Sequence, residues 1–237
     1  MNASLCVTCP NRQSGLCGKL LGSSPEEVAP APKQGWQRFF AARPGQQIAA
    51  RNQISGDIFV VCTGWAFRYF QLADGRRQIL QFLLPGDIFS TITIFDETFH
   101  FSVKALTEVQ ISGFARSKIH EMCATDSGVR WAVAKSCIDE CQDATELATA
   151  LGQFSAEERI AHLLLQLMSR VAARSVVRDG RYSLPLRQQH IADAVGLTPV
   201  HVSRVFSAFR DRGVLALSDG VLQVFNASEL ERIGSVA

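Results

Sequence analysis

The chain has 237 residues, 47% hydrophobic and 19% charged, the composition of a globular protein with room for one large core or two small ones. No apolar run reaches the length of a membrane span and no charged–apolar–small start marks a secretory leader, so a cytoplasmic protein without a membrane partner is expected. A net charge of +2 excludes nucleic-acid binding through bulk charge, and any such contact has to come from locally placed arginines.

The first seventeen residues carry Cys6, Cys9 and Cys17 in a Cys-x2-Cys-x7-Cys pattern, three of the seven cysteines in the chain. In a reducing compartment an odd set of thiols reads as metal ligands, reactive groups or small buried apolars before it reads as disulfides. Residues 22–37 are rich in Pro, Gly, Ser and Ala, so residues 1–30 are expected to form a Cys-containing segment and linker.

Residues 31–116 alternate short apolar runs, such as Ile58-Phe-Val-Val-Cys62 and Trp65-Ala-Phe-Arg-Tyr-Phe70, with turn signals at Ser55-Gly-Asp57, Asp74-Gly75 and Pro85-Gly-Asp87. Regularly spaced strands with Asp-Gly turns predict a β-barrel or β-roll. The period then changes. In residues 117–152 helix formers dominate, and Ala134, Cys137, Cys141, Ala144, Ala148 and Leu151 recur at alternating steps of three and four. That narrow uncharged stripe has the geometry of a two-helix seam, which predicts a dimer interface; a helix lying on its own domain's core is the alternative. Cys137 and Cys141 on this stripe either approach their symmetry mates or lie buried and inert.

Residues 153–237 open with Ser155 and Glu158, spaced as a capping box ahead of the apolar run 160–168, and predict a helix over 156–173. A turn at Asp179-Gly180 and a closing hairpin across Ser218-Asp-Gly220 follow. Between them stands the most specific text in the chain, Gln188-Gln-His-Ile-Ala-Asp-Ala-Val-Gly-Leu-Thr-Pro-Val-His-Val-Ser-Arg-Val-Phe206.

That segment predicts two amphipathic helices joined by a tight turn. Ala192 is small where the helices cross, Gly196 tolerates positive φ at the turn, Thr198 caps the second helix and Pro199 stands at its first position. Ile191, Val195, Leu197, Val202, Val205 and Phe206 form the inward face, which leaves Val200, His201, Ser203, Arg204 and Ser207 outward. A recognition helix presents that end to base edges in the major groove of double-stranded DNA. Arg204 suits a bidentate guanine contact, Ser203 a base or phosphate, and Thr198 with the helix N-terminus a backbone phosphate. Arg187 and Arg210 are candidate phosphate contacts, and the hairpin that follows makes the motif winged.

With Gly75-Arg-Arg-Gln-Ile79, Leu84-Pro-Gly-Asp-Ile-Phe89 and Ala156-Glu-Glu-Arg159 added, nearly the whole chain resembles the Crp/Fnr family of bacterial transcription regulators. The resemblance implies an α+β protein: an N-terminal β-roll of the cyclic-nucleotide-binding kind, a long dimerisation helix and a C-terminal winged helix-turn-helix. It implies a homodimer that binds DNA and contacts RNA polymerase, and no enzymatic activity.

The resemblance also exposes departures. Where cyclic-nucleotide-binding relatives carry a Glu for the ribose and an Arg–Ser pair for the phosphate, this chain matches Thr91 and Phe101-Ser102, so no cyclic AMP is expected. The opening cysteines resemble the cluster motif of Fnr-like oxygen sensors and imply a [4Fe–4S] cluster on Cys6, Cys9 and Cys17, but the fourth-ligand position matches Ser112. Three thiolates with an oxygen ligand or Cys62, a thiol-redox site, and a cofactor-free regulator all remain open. Where well-known members carry a Glu in the recognition helix, Val200 stands here, which suits a thymine methyl rather than a cytosine amine. A β-barrel metalloenzyme is the remote alternative; among the five histidines only His100 falls in the roll.

Overall fold

The computed structural model describes residues 15–21, 37–175 and 177–235, which group into two compact units. The first takes residues up to Tyr69 together with Phe82–Asp143, and the second takes Phe70–Gln81 together with Ala144–Ala237.

The first unit is built on antiparallel strands, with residues 70–81 of the β4–β5 hairpin counted in the second: β1 Gln37–Ala42, β2 Gln47–Ala49, β3 Asp57–Thr63, β4 Ala66–Gln71, β5 Arg77–Leu83, β6 Ser102–Ala105 and β7 Val109–Ala115. They form a three-stranded sheet in the order β1-β7-β3 and a four-stranded sheet in the order β2-β6-β4-β5. Phe67, Phe82, Phe89 and Phe99 are fully buried, and the Phe59 ring stacks on Phe99 with centroids 6.0 Å apart. Gly113 of β7 lies beneath two rings: a Cβ there would meet Phe59 at 3.1 Å and Phe40 at 3.3 Å.

Three helices finish this core. Helix α1, Gly15–Leu21, buries Leu16 and Leu20 one turn apart against Ile58, Val60, Phe114, Ile119, Val129 and Val133. The tail expected over residues 1–30 therefore contains a core element. Its two leucines at a spacing of four were the available signal. The helical region expected over 117–152 is two helices, α2 Arg116–Thr125 and α3 Ser127–Gln153. Asp126 separates them, its Oδ1 accepting from the Gly128 and Val129 N–H groups at 2.7 and 3.3 Å. Because Ile119, Val129 and Val133 are buried in the roll's core, α2 and the first part of α3 belong to the first unit, not to a separate segment starting at 117.

In the second unit α4, Ala156–Ala172, buries Ile160, Leu164, Leu167 and Val171 along one face. Its capping box is formed: the Ser155 N–H donates to Glu158 at 2.7 Å, and the Glu158 N–H to Ser155 Oγ at 3.3 Å. Strand β8 Arg181–Ser183, helices α5 Gln188–Val195 and α6 Pro199–Asp211, and strands β9 Leu215–Ser218 and β10 Val221–Val224 follow. The wing is three-stranded, in the order β8-β10-β9, where two strands were expected; β8 is too short to show a period of its own. Asp219 and Gly220, both at positive φ, close the β9–β10 hairpin as the Asp-Gly signal predicts.

Helix α7, Ala227–Gly234, ends against α4 with no room for a side chain. A Cβ on Gly234 would lie 2.7 Å from the Ala161 carbonyl carbon and the His162 nitrogen, and His162 Nδ1 donates to the Gly234 carbonyl at 3.0 Å. Gly234→Ala is expected to lower stability by about 1–3 kcal/mol, because backbone at a close contact cannot yield as a side chain can. Urea denaturation checks it.

Candidate nucleic-acid interface

Helix α5 ends at Gly196, whose φ of +67° lets the chain reverse, and the Leu197 N–H returns to the Ala192 carbonyl at 3.0 Å. From α4, Arg159 braces this turn by donating to the carbonyls of Val195 (3.3 Å) and Phe154 (2.9 Å). Thr198 then caps α6, its Oγ1 accepting from the His201 N–H at 3.2 Å, and Pro199 occupies the first helical position.

Burial sorts the rest of the pair by the helical repeat. Ile191, Ala192, Val195, Val202, Val205, Phe206 and Phe209 are buried, and Leu197 is half-buried. Val200 is 62% exposed; Arg187, Thr198, His201, Arg204 and Arg210 are exposed, and Ser203 and Ser207 half-buried. An exposed valine in a well-packed helix has no packing role, whereas Arg212 is held by Glu157 and lies over the Phe209 ring. Among the described residues neither Arg204 nor Arg210 has an ion-pair partner.

Behind the turn, α5 is tied down within the second unit. Arg77 Nε donates to Asp193 Oδ2 at 2.8 Å, Gln78 Nε2 to the Ala194 carbonyl at 2.9 Å, and Gln189 Nε2 to Asp193 Oδ1 at 2.6 Å. Sequence reading missed Arg77 and Gln78 as partners of α5 because more than a hundred residues separate them from Asp193 and Ala194.

Comparison with known proteins agrees with this geometry. Residues 158–233 match the model of the Crp-like helix-turn-helix domain, and residues 40–126 that of the cyclic nucleotide-binding domain. The nitrogen fixation regulation protein FixK of Rhizobium meliloti is 32% identical over 82% of this chain and 85% of its own length. The chain belongs to the Crp/Fnr family.

It is accordingly a DNA-binding transcription regulator and not an enzyme. The transcriptional activator protein FnrL of Cereibacter sphaeroides is 31% identical over 90% of this chain and 84% of its own. Among solved structures, FixK2 from Bradyrhizobium japonicum superposes with a TM-score of 0.77 at 26% identity, covering 85% of this chain and 98% of that one. The α+β architecture of roll, long helix and winged helix-turn-helix is the family's.

The other singled-out residues fall as follows. Cys6 and Cys9 lie outside the described residues. Cys17, on α1, is half-buried and packs against the roll's apolar cluster. Ser112, at the expected fourth-ligand position, is 1% exposed in the middle of β7, and its hydroxyl accepts from Gln37 Nε2 at 2.8 Å. A buried hydroxyl already hydrogen-bonded in a strand does not supply the missing thiolate, so the four-cysteine Fnr arrangement does not fit at this position. Among the described residues no three His, Cys, Asp or Glu side chains are grouped as a metal site.

The expected seam divides between two faces. Cys137 packs on the core cluster of its own unit, following Val129 and Val133 at steps of four. Burial pushes its thiol above the ordinary range, with Glu140 adding to the rise; burial does the same to Cys123, offset in part by Arg130. Both thiols are therefore protonated at neutral pH and poor nucleophiles. Cys141, Ala144 and Ala148 are exposed, and Ala134 and Leu151 half-buried. Trp131 (76% exposed) and Ile138 (50%) share the open side of α3.

Gly196→Ala is expected to destabilise the second unit by about 1–2 kcal/mol, since alanine tolerates the left-handed region poorly. Its Cβ would also press on Leu151 Cδ2 at 3.2 Å. Thermal unfolding reads the loss, and operator affinity should fall with it.

Proposed function

We propose that the chain acts as a homodimer whose α6 reads the major groove, with Arg204 contacting a guanine in each half-site. The observation that carries this is the N-terminal face of α6: Val200, His201 and Arg204 stand in solvent on a helix whose opposite face is fully buried. Ser203 and Ser207 flank the arginine, Thr198 and the helix N-terminus take a backbone phosphate, and Arg187 and Arg210 take flanking phosphates. Val200 meets an apolar base edge such as a thymine methyl. The exposed side of α3, with Trp131, Ile138 and Cys141, supports pairing of two chains through that helix. RNA polymerase is the further partner and the cytoplasm the location that go with this role.

Arg204→Ala should cost about 1–3 kcal/mol of specific binding and relax preference at one base pair per half-site. Selection from a random oligonucleotide pool checks this, and an unchanged operator profile would take Arg204 out of base reading.

For the signal, we propose a response to oxygen or redox state through the N-terminal thiols Cys6, Cys9 and Cys17. If a [4Fe–4S] cluster is held, these residues are its ligands and the fourth comes from elsewhere than Ser112. The buried, hydrogen-bonded Ser112 favours a second reading, in which the thiols respond without a cluster or abundance alone sets activity. Anaerobic iron and sulfide analysis separates the two: a brown protein with stoichiometric iron supports the cluster, and a colourless one with titratable thiols supports the second.

No acidic side chain stands at the stripe positions 134–151, so the dimer is expected to survive chelation. Size-exclusion chromatography with and without chelator tests this, a clean shift to monomer being the contrary result.

A further inference from the structure

Three of the polar side chains buried in the roll converge on one point. Arg68 of β4 is 8% exposed, Ser90 2% and Thr91 1%, and all three donate to Glu140 of α3. Glu140 Oε2 accepts from Arg68 Nη1 and from Ser90 Oγ, each at 3.0 Å. Its Oε1 accepts from the Thr91 hydroxyl and the Thr91 N–H, each at 2.6 Å. Ser136, one turn back on α3, bonds the Thr91 hydroxyl at 3.0 Å. Four donors on two oxygens fill the lone-pair sites of a carboxylate. A guanidinium, two hydroxyls and a backbone amide aimed at one point form a receptor for an oxyanion rather than a surface ion pair.

A second observation comes from the guanidinium. Arg68 Nη1 also reaches the Phe89 carbonyl at 3.2 Å and the group lies over the Phe101 ring at 5.6 Å, yet its Nε is buried without a partner. A buried N–H with no acceptor is costly, and here it belongs to the group that anchors the site. Glu140 is constrained by the helix that carries it and leaves this donor unmet.

We infer that Arg68, Ser90 and Thr91 form an oxyanion-binding site in the β-roll whose resident occupant is the chain's own Glu140, and that the site takes a small carboxylate from solution once that side chain is removed. The roll thus carries its ligand built in, and α3 is fastened to it without a diffusible anion. The site does not depend on the reading of the N-terminal thiols or of α6.

The test is thermal unfolding of Glu140→Ala in sodium acetate against sodium chloride of equal ionic strength. The variant should melt below the wild type. Acetate at about five-fold its dissociation constant should raise its Tm by about 2–4 °C above chloride, saturably, as expected for a ligand that binds the native state. The wild type should not respond, and Arg68→Met added to Glu140→Ala should abolish the rise. If Glu140→Ala is unfolded without acetate, acetate-dependent refolding from urea reads the same site. A variant indifferent to acetate in both measurements overturns the inference. So does an equal response in the double variant.

Discussion

The exposed face of α6 proposed to meet DNA exists because the turn at Gly196 is tight. The left-handed backbone there ends α5, returns the Leu197 N–H to Ala192, and allows Thr198 to start α6 two residues later. Once that starting point is set, the helical repeat does the rest. Val202, Val205, Phe206 and Phe209 cover one face, and Val200, His201 and Arg204 are carried to the other. Arg159, donating to the carbonyl at the end of α5, braces the turn from α4.

The roll is organised around a different constraint, the short 3-10 turn Thr91–Ile94. Two knots of buried polar groups meet at it. In one, Arg68, Ser90 and Thr91 gather on Glu140. In the other, Arg116, 7% exposed, donates from Nε to the Thr93 carbonyl at 2.8 Å and pairs with Glu97 at 3.2 Å. The turn is thereby tied to β4, to the start of α2 and to α3. Directional hydrogen bonds in a buried polar network select one geometry where apolar packing alone tolerates several. Such ties hold β4 and α3 in one arrangement.

Helix α3 shows how one sequence pattern can serve two surfaces. Steps of three and four mark a stripe, but a stripe does not say what covers it. The roll takes Val129, Val133 and Cys137, while Trp131 and Ile138 on the next flank stay in solvent. The thiols divide likewise: Cys17, Cys123 and Cys137 pack at the edge of the roll's apolar cluster, and Cys141 is exposed.

The helix-turn-helix was legible in the sequence because its determinants are local. The Thr198 cap, Pro199, the Gly196 turn, the Ser155–Glu158 capping box and the Asp219-Gly220 hairpin each act within a few residues, so composition and spacing determined them. Only the tertiary structure decided that α1 is a core element and that Ser112 is committed to Gln37. It alone placed Arg77 against Asp193 and Glu140 among Arg68, Ser90 and Thr91. These pairings join residues from about fifty to more than a hundred positions apart. Burial and hydrogen bonding select them only after the strands and helices have met, and no periodicity in the chain records which distant donor a buried carboxylate will find.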